Sequence, residues 1–98
     1  MAKRVYISGK ITGLEEHVAY ALFERKEMEL SEAGHNVVNP FKIHGTKQKT
    51  WTQYMLTDIE HLFTCHEIHM LPNWKESKGA RIEHAIAVEM EIPVIYHS

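Results

Sequence analysis

Short apolar runs alternate with longer stretches of helical spacing along this chain. Arg4-Val-Tyr-Ile-Ser8 is a compact β-rich run, broken at once by Gly9-Lys-Ile-Thr-Gly13. From Glu15 to Ala33 the apolar residues Ala19, Leu22, Phe23, Leu30 and Ala33 recur at helical spacing, and Gly34 suits the position that stops such a helix. Asn36-Val-Val-Asn39 reads as a second strand, ended by Pro40. Thr50-Trp-Thr-Gln53 has the form of a capping box, and the helix it opens carries Met55, Ile59, Leu62 and Phe63 inward. Glu67 to Leu71 is a third strand. A third helix from Ser77 to about Met90 places Ile82, Ala85, Ile86 and Met90 on its buried side, and Pro93-Val-Ile-Tyr96 is the last strand.

Strands alternating with helices predict an α/β fold with a parallel sheet and right-handed crossovers. With the first strand central, the sheet order is 2-1-3-4. Residues 1–98 form one domain, without repeat, linker or low-complexity segment. The loop over residues 41–50, with Lys42, Lys47 and Lys49, is long for a compact α/β unit. It reads as a lid, an oligomer contact or a solvated surface loop.

Composition narrows the function classes. A formal net charge of −2 argues against a nucleic-acid polymer as partner, since such domains carry a basic excess. No apolar run approaches the roughly 20 residues of a membrane span, and the run after Met-Ala-Lys-Arg is too short for a signal peptide. The single Cys65 leaves no intrachain disulfide and points to a reducing cytoplasm. A 98-residue chain buries a modest core, so a homodimer or higher homo-oligomer is expected. Eight histidines invite a metal reading. However, His66-Glu67-Ile68-His69 is one residue short of the zincin spacing, and on a strand His66 and His69 face opposite ways. His35 and His44 fall in separate loops and His97 at a frayed end, so neither a metal nor a cofactor is expected.

In a parallel sheet the ligand crevice lies beyond the carboxyl ends of the strands. Three segments arrive there: Ser8-Gly9-Lys10, Asn39-Pro40, and the turn from Pro72 to Gly79 that leads to Glu83. Ser77-Lys-Gly-Ala-Arg-Ile-Glu83 opens a helix with free backbone N–H groups and sets a carboxylate about a turn and a half inside it. Glu83 reads as a nucleophile or base behind a pocket, or as an acid that the helix dipole favours. Asp58, on one helix face with Tyr54 and His61, reads as a site acid or a solvated residue. Tyr6 reads as a core aromatic or as a phenol orienting a carboxylate. Trp51 and Trp74 read as packing groups or as stacking platforms for a base. Gly9 and Gly13 are ordinary turn glycines or points of close backbone approach. Lys10 and the helix N–H groups would make the region of Ser8, Gly9, Ser77 and Gly79 attractive to an anion.

Four segments in order carry a resemblance. Val5-Tyr-Ile-Ser-Gly-Lys-Ile-Thr-Gly13, Ala33-Gly-His-Asn-Val-Val-Asn-Pro40, Tyr54-Met-Leu-Thr-Asp58 and Met70-Leu-Pro-Asn-Trp74 with Ser77-Lys-Gly-Ala-Arg-Ile-Glu83 resemble motifs of the nucleoside 2-deoxyribosyltransferase-like superfamily. The closest branch is the short one classed as a domain of unknown function, DUF4406. The resemblance implies a three-layer flavodoxin-like or Rossmann-like sandwich. It also implies cleavage of an N-glycosidic bond by a Glu nucleophile at Glu83, oriented by Tyr6, with Asp58 contacting substrate. By the same resemblance Ser8, Gly9, Ser77 and Gly79 match the positions that hold a 5′-phosphate in related nucleotide hydrolases.

Two positions depart from the pattern. His66-Glu67 stands where Asp-Ala is usual, and Lys10 stands where Pro is common. The full transferases are longer, and a neighbouring subunit completes their sites. The expected function is therefore cleavage or transfer at the N-glycosidic bond of a (deoxy)nucleoside or nucleoside monophosphate. Glu83, Tyr6 and Asp58 are the expected catalytic residues, and Ser8, Gly9, Lys10, Asn39, Trp74, Ser77 and Gly79 the substrate-binding ones. The alternative is a non-catalytic nucleotide-binding or sensing module on the same fold.

Overall fold

The computed structural model describes residues 2–98. Its elements run β1 (Arg4–Ser8), α1 (Glu16–Glu32), β2 (Asn36–Val38), α2 (Trp51–Leu62), β3 (Glu67–Met70), α3 (Lys78–Glu89) and β4 (Val94–Tyr96), with short 3-10 turns at Pro40–Lys42 and Trp74–Glu76. The four strands form one sheet of order β2-β1-β3-β4, and every pairing is parallel. Tyr6 lies beside both Val38 and Ile68, and Ser8 beside Met70, which brings the carboxyl ends of the central strands level.

Alternation along the strands sorts side chains into two cores. Val5 and Ile7 meet Phe23 and Leu30 of α1 on one face, joined by Leu71. Tyr6, Val38, Ile68 and Met70 meet Leu62 of α2 and Ala80 and Ala87 of α3 on the other. The result is the three-layer α/β sandwich of the expected strand order. The second helix starts where the sequence places its cap. Thr50 accepts from the Gln53 N–H at 3.2 Å while the Gln53 side chain accepts from the Thr50 N–H at 2.8 Å, a complete capping box. Ser77 caps α3 by accepting from the Ala80 N–H. Gly34 ends α1 with φ +94°, in the left-handed region where only glycine is unstrained.

Three expectations about facing are corrected. Phe63 and Met90 point outward, 54% and 56% exposed. Ala85 is also exposed, and the buried stripe of α3 is Ala80, Glu83 and Ala87. A carboxylate sits in the middle of that stripe because sheet hydroxyls satisfy it, so apolar spacing alone puts the stripe on the wrong side. His97 is not frayed. Its N–H donates to the Met70 carbonyl, and its ring pairs with His69 at 2.8 Å and with the Lys26 ammonium at 3.2 Å. His66 and His69 do separate as expected, His66 exposed and His69 buried against Glu67 at 2.9 Å. Among the described residues, no helix is long and apolar enough to cross a membrane.

Candidate active site

A cleft of about 760 Å³ opens beyond the carboxyl ends of β1 and β2, between the first turn of α3 and the inner face of α2. Glu83 lies at its base. The Tyr6 hydroxyl donates to one carboxylate oxygen at 2.7 Å, and the Ser8 hydroxyl donates to the other at 2.6 Å. Both donors are buried on β1, on the strand face that α3 covers, so the sheet itself sets the rotamer of this carboxylate. Gly9 continues the strand into the cleft wall. A Cβ there would lie 2.7 Å from a Leu71 methyl, so the chain turns at this point only with glycine. Ser77 and Gly79 line the same cleft at the start of α3, where amide N–H groups are not consumed by the helix.

Asp58 of α2 is the second buried acid of the cleft, 8% exposed. Its Oδ1 is bonded to the His44 ring Nε2 at 2.8 Å, and the Lys49 ammonium lies 3.1 Å from the other ring nitrogen. The Tyr54 ring meets His44 edge-on with centroids 4.6 Å apart. Burial pushes the Glu83 carboxyl up to about 7, against the opposing pull of the Ser8 and Tyr6 hydrogen bonds. Asp58 is pushed higher, to about 8, by burial and then by the Glu83 charge, with Lys49 pulling the other way. Burial, and then the Glu83 charge, hold the Tyr6 phenol well above its ordinary range, so it remains a donor. His44 is held below its ordinary value by burial, Lys49 and His61, which favours the neutral ring. Both acids are thus held above the ordinary carboxylate range, so the pair retains protons near neutral pH.

The residues named from the sequence are placed unevenly. Tyr6, Ser8, Gly9, Asp58, Ser77, Gly79 and Glu83 converge on the cleft or directly behind it. Three are engaged elsewhere. The Lys10 ammonium faces Glu76 at 3.7 Å while its backbone N–H donates to Asn73. Asn39 is buried, donating to Glu27 and accepting from the Phe41 N–H to start a 3-10 turn. Trp74 lies on the α3 side near the β4 edge, stacked on His84 at 4.2 Å and beside Tyr96. The aromatics lining the cleft are instead Phe23, Phe41, Trp51 and Tyr54, with Lys78 over the Trp51 ring at 5.0 Å. His44 was not legible as a site residue. The only signal was its place in the loop that follows β2, on the cleft side of the sheet. The His66-Glu67 departure lies at the amino ends of the strands, where Glu67 pairs with Val5 and Lys3, away from the cleft.

The family model described as a domain of unknown function (DUF4406) matches residues 3–96, nearly the whole chain. The chain belongs to the DUF4406 family. Among curated proteins none matches it. This DUF4406 domain shares its fold with a solved 2-deoxyribosyltransferase from Bacillus psychrosaccharolyticus, at TM-score 0.75 and 18% identity over 95% of this chain and 70% of that one. A conserved protein from Enterococcus faecalis V583 aligns at TM-score 0.73 and 15% identity, over 98% of this chain. The DUF4406 domain spans 63% of that longer chain. The resemblance drawn from the motifs therefore holds for family and for fold.

Proposed function

We propose that this domain cleaves or transfers at the N-glycosidic bond of a (deoxy)nucleoside or nucleoside monophosphate, with Glu83 as nucleophile. The observation that carries the reading is the Glu83 carboxylate, fixed from behind by Tyr6 and Ser8 and facing a cleft large enough for a nucleoside. Glu83 attacks C1′ and forms a glycosyl-enzyme ester, as in retaining glycosidases. Asp58 protonates the departing base. Water or a second base then resolves the ester. A sugar seats near Gly9, Ser77 and Gly79, and a 5′-phosphate, where present, lies against the free N–H groups of α3. Trp51 and Tyr54 offer faces for the base. Lys10, Asn39 and Trp74 belong to this reading only as supports of the surrounding loops.

One observation favours the sensing module instead: both Glu83 oxygens already accept a hydrogen bond, and the residue is 5% exposed. Incubation with a panel of deoxynucleosides and their 5′-monophosphates, followed by chromatography of free base, separates the two. Base release is expected. Ligand-induced protection against melting with no base released from any substrate would favour the sensor and defeat the enzyme reading.

A homo-oligomer belongs to the same proposal. Leu56, Phe63, Val88 and Met90 leave an apolar surface on α2 and α3, each more than half exposed. Sedimentation is expected to give a dimer or larger species, and a monomer at micromolar concentration would contradict it. The lone free thiol of Cys65 supports a reducing, cytoplasmic setting.

A further inference from the structure

His44 stands outside every motif of the family resemblance, yet it is the residue in hydrogen-bond contact with the second acid of the cleft. Lysine's ammonium has donors and no acceptor. With the Lys49 ammonium 3.1 Å from Nδ1, that ring nitrogen must be the acceptor. Lys49 is held there by a second contact, to the Thr57 hydroxyl at 3.3 Å. A neutral imidazole with an accepting Nδ1 carries its proton on Nε2. Nε2–H therefore donates to Asp58 Oδ1 at 2.8 Å. Edge-on contact with Tyr54 holds the ring plane. A proton carried by Asp58 is then excluded from Oδ1, where it would meet the imidazole N–H, and takes Oδ2. Among the described residues, no protein group hydrogen-bonds that oxygen.

Resting on the reading of the cleft as an N-glycosidase site, we infer that His44 is a positioning residue that fixes the proton of Asp58 on Oδ2, facing the departing base. In the step it supports, a Glu83 oxygen bonds to C1′ while the C1′–N bond breaks. The electron pair of that bond goes to the base nitrogen, which takes the Oδ2 proton. The Asp58 carboxylate so formed keeps the Nε2–H bond at Oδ1. When water or a second base attacks C1′, the Glu83 ester bond breaks, its electrons return to the carboxylate, and the nucleophile's proton returns to Oδ2. The charged and titratable groups facing this unit are Lys49 from the loop, Tyr54 and His61 from α2, Tyr6 from β1 and Glu83 from α3.

Two measurements test the assignment. In the full chain labelled with ¹⁵N-histidine, the ring signals lost in His44→Gln are expected to report a protonated Nε2 and a bare Nδ1 at pH 7. An Nδ1–H tautomer, or an imidazolium, would overturn it. On any nucleoside the wild type cleaves, His44→Leu is expected to lower kcat by about tenfold to a hundredfold with little change in KM, as loss of a general-acid contribution does. Gln, which keeps an N–H at the Nε2 position, is expected to recover much of that loss. With 4-nitrophenyl 2-deoxyriboside, whose leaving group departs without a proton, the Leu penalty is expected to shrink to about threefold or less. Equal losses on both substrates would reduce His44 to a structural role and defeat the inference. If the wild type cleaves no nucleoside, the enzyme reading falls by itself, and the ring tautomer alone decides the assignment of His44.

Discussion

Glu83→Gln is expected to lower base release by about three orders of magnitude or more, because an amide oxygen is a far poorer nucleophile than a carboxylate. The substitution preserves volume, and the Tyr6 and Ser8 hydroxyls are able to reorient to meet an amide, so nucleoside binding is expected to survive. Single-turnover chromatography of free base, with calorimetric titration of the same nucleoside, reads the two quantities separately. Tyr6→Phe removes one of the two groups that set the carboxylate rotamer without removing the nucleophile. Its expected cost is smaller, about tenfold to a hundredfold, the scale of misplacing a reacting group. Base release by Glu83→Gln at the wild-type rate would eliminate the covalent mechanism.

Folding stability is expected to fall as pH rises through neutrality. Glu83 titrates at about 7 in the folded protein against an ordinary 4.5, and Asp58 at about 8 against 3.8. Between those values the folded state holds protons that the unfolded chain has released, so the free energy of unfolding has a negative slope with pH. The stabilisation is fully present below the unfolded values and lost once pH has risen through the folded ones. For Glu83 alone the shift corresponds to about 3 kcal/mol by pH 8. His44 and His97, lowered from an ordinary 6.5, act in the opposite sense on the acid side, where their contribution is lost as pH falls. Urea midpoints from about pH 6.5 to 8.5 therefore read chiefly the two acids, with the histidines opposing them only near the lower end of the window. Glu83→Gln is expected to flatten that slope and to be more stable than the wild type at pH 8. A wild-type midpoint that rises across the window would show that the buried acids are not held above their ordinary values.

The strands, helices and their order were legible in the sequence because each rests on local physics. The Thr50 capping box and the Gly34 stop are short-range devices, and they appear in the structure where the sequence places them. The 2-1-3-4 parallel order followed from right-handed crossovers together with a central first strand whose Gly9 turn lies at the switch point. Strand carboxyl ends and a Ser/Gly helix start placed Tyr6, Asp58 and Glu83 near one crevice, and the family resemblance supplied their expected roles. The facing of α3 was not legible. Its buried stripe includes Glu83, and a carboxylate becomes a core residue only when hydroxyls 77 and 75 positions away in the sequence reach its two oxygens. His44 was hidden for a similar reason, since a loop residue has no period, and its role depends on Asp58 and Lys49 meeting it from two sides. Lys10, Asn39 and Trp74 were drawn toward the cleft by their positions in the chain. Glu76, Glu27 and His84 hold them elsewhere, because a side chain takes its partner from what packs beside it in space. Local pattern thus determined the frame and the place of the crevice. Tertiary packing decided which acids are buried, how far their pKa values rise, and which neighbour orients each of them.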